Sequence, residues 1–180
     1  QGYPYVINID TANRTNPIDG KIIMSNLCSE VLQVQKPSII NDAQEFVKMG
    51  TDISCNLGST NVVNMMTSPD FGRSIKAMTR ALTFVSDTSS IEAVPTIKHG
   101  NEQAHTFGLG AMGLHTYLAQ NHIHYGSPES IEFTNIYFML LNYWTLVESN
   151  QIARERKQTF ANFEKSSYAD AVSYTHLTLP

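Results

Sequence analysis

A carboxamide, a thiol and a carboxylate follow one another at every second position, Asn26, Cys28 and Glu30, inside the stretch SNLCSEV. Together they form a reaction set: the thiol can give up its S–H hydrogen, the carboxylate can accept a proton, and the amide can donate and accept hydrogen bonds. In an extended chain side chains alternate between faces, so these three would point one way. In a helix each would turn about 200° from the last. Ser25, Asn26 and the β-branched Val31 disfavour helix, and the expectation is an extended segment with a convergent site. Taken alone, the triplet fits better an ordinary buried cysteine between two surface polar residues.

A second cysteine, Cys55, stands 27 residues later in SCNLGSTN, where Asn56, Gly58 and Ser59 signal a turn. Two cysteines are too few for a disulfide framework, which leaves buried thiols, a redox pair or catalysis. Thiols brought together from separate extended segments could make a redox centre, but sequence spacing does not establish that proximity. Other motifs carry less. GLGAMG, Gly108 to Gly113, has the G-x-G-x-x-G spacing of a dinucleotide loop, yet the polar, helix-like NEQAHTF precedes it where a strand is required. Its small residues are read as letting a helix approach a neighbour. HIH, His122 to His124, has no Cys or carboxylate at ligand spacing, so no metal is expected on this chain, and no G-x-S-x-G elbow is present.

The elements that must position these groups change character along the chain. YPYVINI, from Tyr3 to Ile9, reads as a β-rich strand, TNPIDG as a turn, and KIIMSNLCSEVLQVQKP as an extended run closed by Pro37. Further on the pattern turns helical. Ser68, Pro69 and Asp70 signal a helix start, followed by an apolar stripe at Phe71, Ile75, Met78, Leu82 and Val85. A second helix is predicted with Phe107, Ala111, Leu114 and Leu118 on one face. A third starts at SPES, Ser127 to Ser130, carries Phe133, Tyr137, Leu140, Trp144 and Val147, and ends in the charged RERK. Aromatic residues at this spacing are read as core. No repeat or linker marks a domain break.

A hydrophobic content of 42% with 16% charged residues fits a soluble globular protein. The net charge of −4 argues against a broad phosphate-neutralising surface, so no nucleic-acid polymer is expected as partner. There is no apolar run of about 18 residues and no basic-then-apolar leader, so neither a membrane span nor a signal peptide is indicated and a cytoplasmic location is expected. The chain opens on Gln1 and directly on a strand-like run, as an internal piece of a longer protein would.

MSNLCSEVLQV and DISCNLGSTN, with PYVINIDTANRTNP, FGLGAMGLHTYLA, YGSPESIEFTNIYF and RERKQTFANFEKSSYA, resemble the large catalytic subunit of class I ribonucleotide reductase. The resemblance runs from about Tyr3 to Asp170, and the gap between the cysteines looks like the class Ib form. The fold it implies is α/β, a ten-stranded α/β barrel with the radical cysteine at the tip of an inward loop. This piece would form an incomplete barrel with outer helices. Residues 1–171 would belong to the catalytic barrel domain. Residues 172–180, within AVSYTHLTLP, resemble no part of that subunit and are expected to be a non-native tail.

The resemblance also implies roles. Cys28 matches the cysteine that becomes a transient thiyl radical and abstracts the ribose 3′-hydrogen. Glu30 matches the acid that takes the 3′-hydroxyl proton, and Asn26 the amide that orients Glu30 and the substrate. Ser25, Asn26 and Glu30 would bind substrate. Cys55 matches one member of the pair that supplies reducing equivalents and ends as a disulfide. The implied partners are a ribonucleoside diphosphate substrate, a small subunit with a di-metal (Mn or Fe) centre and tyrosyl radical, a thioredoxin- or glutaredoxin-like reductant, and a second large subunit. ATP and deoxynucleoside triphosphate effectors would act on the full-length protein, and this chain would bind no cofactor. The second redox cysteine, the radical-transfer tyrosines, the shuttle cysteines and much of the phosphate site are missing, so the piece alone is expected to be inactive. Two other readings stay open: an adenosylcobalamin-dependent class II reductase, whose barrel carries a similar Asn, Cys and Glu set, and a noncatalytic interaction domain.

Overall fold

The computed structural model describes residues 2–89 and 91–169. In chain order the elements are α1 (Ile9–Arg14), β1 (Ile39–Ile40), β2 (Phe46–Lys48), β3 (Leu57–Asn61), α2 (Val62–Thr67), α3 (Phe71–Thr88), α4 (Pro95–Ala104), β4 (Gly108–Met112), α5 (Leu114–Gln120), α6 (Pro128–Arg156) and a 3-10 turn at Phe163–Lys165. They fall into two compact units interleaved along the chain. One holds the described parts of residues 1–55, 90–105 and 159–180, and carries both cysteines; the other holds residues 56–89 and 106–158.

In the second unit the caps set the long helices. The Asp70 carboxylate accepts from Arg73 N at 2.8 Å to start α3, and the Ser127 hydroxyl accepts from Ser130 N at 3.2 Å to start α6. Ser68, read from sequence as part of the α3 start, instead closes α2. Val62, Met65, Ile75, Tyr137 and Leu141 form the buried core, with Phe71, Leu109, Ala111, Phe133 and Trp144 packed against it. Tyr117 stacks on Phe133 with ring centroids 4.6 Å apart. The buried face of α3 also carries Thr79 and Thr83, whose hydroxyls donate one turn back to Ile75 O at 2.9 Å and Thr79 O at 2.8 Å, satisfying polar groups that would otherwise oppose burial.

β3 and β4 pair in parallel, from Leu57 opposite Gly108 to Asn61 opposite Met112. Thr60 Oγ1 donates to Gly110 O at 3.0 Å, so the Tyr137 hydroxyl, 2.8 Å away, donates to Thr60. Burial pushes the Tyr137 hydroxyl above its ordinary titration range. The helix predicted across Phe107 to Leu118 is corrected here: its first half is strand β4, and helix begins only at Leu114. Leu109 and Ala111 both pack on the core, a period of two, and Gly108 and Gly110 are poor helix formers. Gly113 takes φ +78, the left-handed turn between β4 and α5. GLGAMG therefore places two of its glycines inside a strand rather than in the loop after one.

The cysteine-bearing unit has less regular structure. β1 and β2 form a short antiparallel pair, and a single bridge joins Lys36 to Thr51. The strand expected over Tyr3–Ile9 is absent: the run is irregular as far as Asn8, and Tyr3 and Val6 are exposed. A strand needs a neighbour for its ladder, and none of the described residues pairs with this run. Among the described residues the sheets are the two pairs β1–β2 and β3–β4, with no closed barrel. No helix of the described residues is long and apolar enough to cross a membrane. The tail expected at 172–180 lies outside the described residues.

Candidate active site

The approach to the Cys28 loop is set from α1. Asn13 Nδ2 donates to Ile22 O at 2.9 Å, and its Oδ1 accepts from Ile22 N at 2.8 Å. A side-chain amide thus makes the double hydrogen bond that a neighbouring strand would make, and Nδ2 also reaches Ile9 O at 3.0 Å. Ile22, 2% exposed, is fixed three residues before Ser25.

Beyond Ser25 the chain turns instead of extending, which corrects the extended segment expected there. Ser29 N donates to Asn26 O at 3.0 Å, and Ser29 takes φ +66. The cause is local competition: Asn26 Oδ1 accepts from Val31 N at 3.0 Å, and Ser25 Oγ donates to Val31 O at 2.7 Å, offering the backbone a closed loop in place of a ladder. Ser25 Oγ also lies 3.3 Å from Asn26 Oδ1. The turn brings Asn26 and Glu30 together by another route, and Cys55 joins them. Asn26 Nδ2 donates to Glu30 Oε1 at 2.7 Å, and Cys55 Sγ lies 3.8 Å from the same oxygen. Cys28 sits on the bend itself. Both cysteines are free and exposed, so neither occupies the buried setting of the ordinary reading.

Cys55 is placed by α4. Asp52 N donates to Thr96 O at 3.1 Å, Thr96 Oγ1 donates to Asp52 Oδ2 at 2.6 Å, and Ser54 Oγ donates to Asn101 Oδ1 at 3.2 Å. His99 Nδ1 lies 3.0 Å from Gly50 O, which places its proton on Nδ1. Asn13, Thr96, Gly100 and Asn101 went unnoticed in sequence. Pro95 was the available signal for α4, a proline at the first helical position. Among the described residues no three His, Cys, Asp or Glu side chains gather as metal ligands.

The arrangement offers one carboxylate oxygen to an amide donor and a thiol, with a second thiol on the adjoining bend. That is equipment for moving a proton at a carboxylate beside a thiol. The class is then settled by comparison: residues 1–178 match the ribonucleotide reductase barrel domain, and the chain belongs to that family. It is 46% identical over 170 residues to the ribonucleoside-diphosphate reductase subunit alpha of Mycoplasma pneumoniae, covering 94% of this chain and 23% of that protein. To the protein of the same name from Bacillus subtilis it is 43% identical, covering 93% and 24%. The chain thus spans about a quarter of the length of these relatives. In fold it is similar to the Actinobacillus ureae class Id ribonucleotide reductase alpha subunit, with a TM-score of 0.69 at 22% identity over 96% of this chain and 31% of that one.

Proposed function

We propose that this chain is the part of a class Ib ribonucleoside-diphosphate reductase alpha subunit that carries the radical-forming thiol. The observation that supports it best is the cluster of Asn26, Glu30 and Cys55 beside the bend at Cys28. Cys28, as a thiyl radical, takes the ribose 3′-hydrogen of a ribonucleoside diphosphate. Glu30, oriented by Asn26, takes the 3′-hydroxyl proton, and the 2′-hydroxyl leaves as water. Cys55 and a cysteine outside this chain supply two electrons and two hydrogens, becoming a disulfide, and Cys28 returns its hydrogen to the 3′-carbon. In sum one ribonucleotide and two thiols give one deoxyribonucleotide, one disulfide and water.

Ser25, Asn26 and Glu30 contact the substrate. The Ser25 hydroxyl hydrogen is directed to Val31 O, so its oxygen is offered as an acceptor. A thiyl radical needs protection from water, and since Cys28 is exposed here, this reading looks for that cover in the rest of the full-length subunit. In the whole cytoplasmic enzyme a small subunit with an Mn or Fe centre supplies the radical, a thioredoxin- or glutaredoxin-like protein reduces the disulfide, two alpha subunits pair, and nucleoside triphosphates regulate. The piece by itself is inactive. Cys28→Ser in the full-length subunit should abolish turnover while nucleotide binding is retained; appreciable residual reduction would refute the radical assignment.

A further inference from the structure

α4 buries Thr96, Gly100 and Asn101, none of them a large apolar side chain. All three meet the segment that leads into Cys55. Thr96 holds Asp52 by two hydrogen bonds, Asn101 accepts from Ser54, and a Cβ on Gly100 would stand 1.8 Å from Asp52 O, so only glycine allows the two backbones to touch. A helix face whose fully buried residues include no large apolar side chain adds less by burial; it adds hydrogen bonds of defined length and direction. The beneficiary is a weak, distance-sensitive contact, Cys55 Sγ at 3.8 Å from Glu30 Oε1.

We propose that Thr96 and Asn101 are positioning residues for the Cys55 thiol, holding it beside Glu30 through Asp52 and Ser54. The inference rests on the reading of Cys55 as a redox thiol. A misplacement of about 1 Å at a reacting group can cost roughly a hundredfold in rate. In the full-length subunit, assayed with its radical-supplying subunit, Thr96→Val should therefore lower kcat by roughly tenfold to a hundredfold with substrate KM unchanged. It should also change the rate of Cys55 alkylation by iodoacetamide at fixed pH, read by mass spectrometry of the Cys55 peptide. Thr96→Ser should restore both. Wild-type kcat and alkylation in Thr96→Val, or a loss that Thr96→Ser does not restore, overturns the proposal.

Should Thr96→Val fail to fold, Ser54→Ala carries the test, because it removes the hydroxyl that meets Asn101: an unchanged rate of Cys55 alkylation at fixed pH overturns the proposal, and a changed one supports it. Cys55→Ser separates the two claims. If it retains repeated turnover, the redox reading fails and the role of α4 is judged on alkylation alone. If it is inactive while Thr96→Val behaves as wild type, only the α4 inference falls.

Discussion

The core around Tyr137 and the loop around Cys28 are held by different kinds of force. In the first, Val62 and Ile75 are fully shielded from water and Met65 and Leu141 nearly so, and burying each such side chain contributes about 1.5–3 kcal/mol. In the second, order comes from single amides and hydroxyls, Asn13 on Ile22, Asn26 on Val31 and Glu30, Ser25 on Val31, each contributing about 0.5–1.5 kcal/mol. Apolar packing is strong but non-directional. Hydrogen bonds are weaker and aim atoms, which is what Glu30 needs if it is to meet one amide and one thiol. The division assigns stability to one unit and aim to the other.

That contrast can be broken at three points. The largest effect is expected at Ile75→Ala, which should cost about 2–5 kcal/mol in urea unfolding followed by Trp144 fluorescence, since Ile75 is fully buried. A loss under about 1 kcal/mol would mean that apolar packing does not hold this unit. Next, Asn13→Ala should speed hydrogen exchange at the Ile22 amide roughly tenfold to a hundredfold, the consequence of losing a half-buried acceptor and donor together. Unchanged exchange would show that Ile22 is fixed by something else.

The smallest effect concerns Arg80, which pairs with Glu148 and bonds both Glu155 oxygens at 2.9 Å. The Arg80 hydrogen bonds, with a lesser one from Gln151, lower the Glu155 carboxyl to about 2 from its ordinary 4.5. A lowered carboxyl stabilises the fold above the unfolded value and loses that contribution as pH falls from about 4.5 towards 2. Glu155→Gln should flatten this part of the pH–stability curve and lower neutral-pH stability by the same small amount, as expected of an exposed pair, while Arg80 keeps its partner in the buried Glu148. An unaltered acid limb would disconnect Glu155 from Arg80.

How much was legible in sequence follows the same contrast. α6 and its Ser127 cap were readable because cap, proline and stripe are local signals. α3 was readable too, although the capping oxygen belongs to Asp70. An extended segment was anticipated for Asn26, Cys28 and Glu30; a turn stands there instead and joins Asn26 to Glu30, because Asn26 and Ser25 compete for backbone groups that alternation assumed were free. Phe107 to Leu118 matched a helical stripe by residue type while two glycines and a parallel partner 51 residues earlier made half of it strand. Thr96 reaches Asp52 across 44 positions, and Asn101 reaches Ser54 across 47. No periodicity records a bond of that span.

Ser29 shows what such a loop asks of its smallest member. Its left-handed backbone costs an L-residue about 1–2 kcal/mol that glycine would not incur. Glycine, however, would enlarge the unfolded ensemble, offsetting only about 0.4–1 kcal/mol of that. Serine therefore leaves a small net cost at the bend while denying it the wider torsional freedom that would blur where the thiol beside it points.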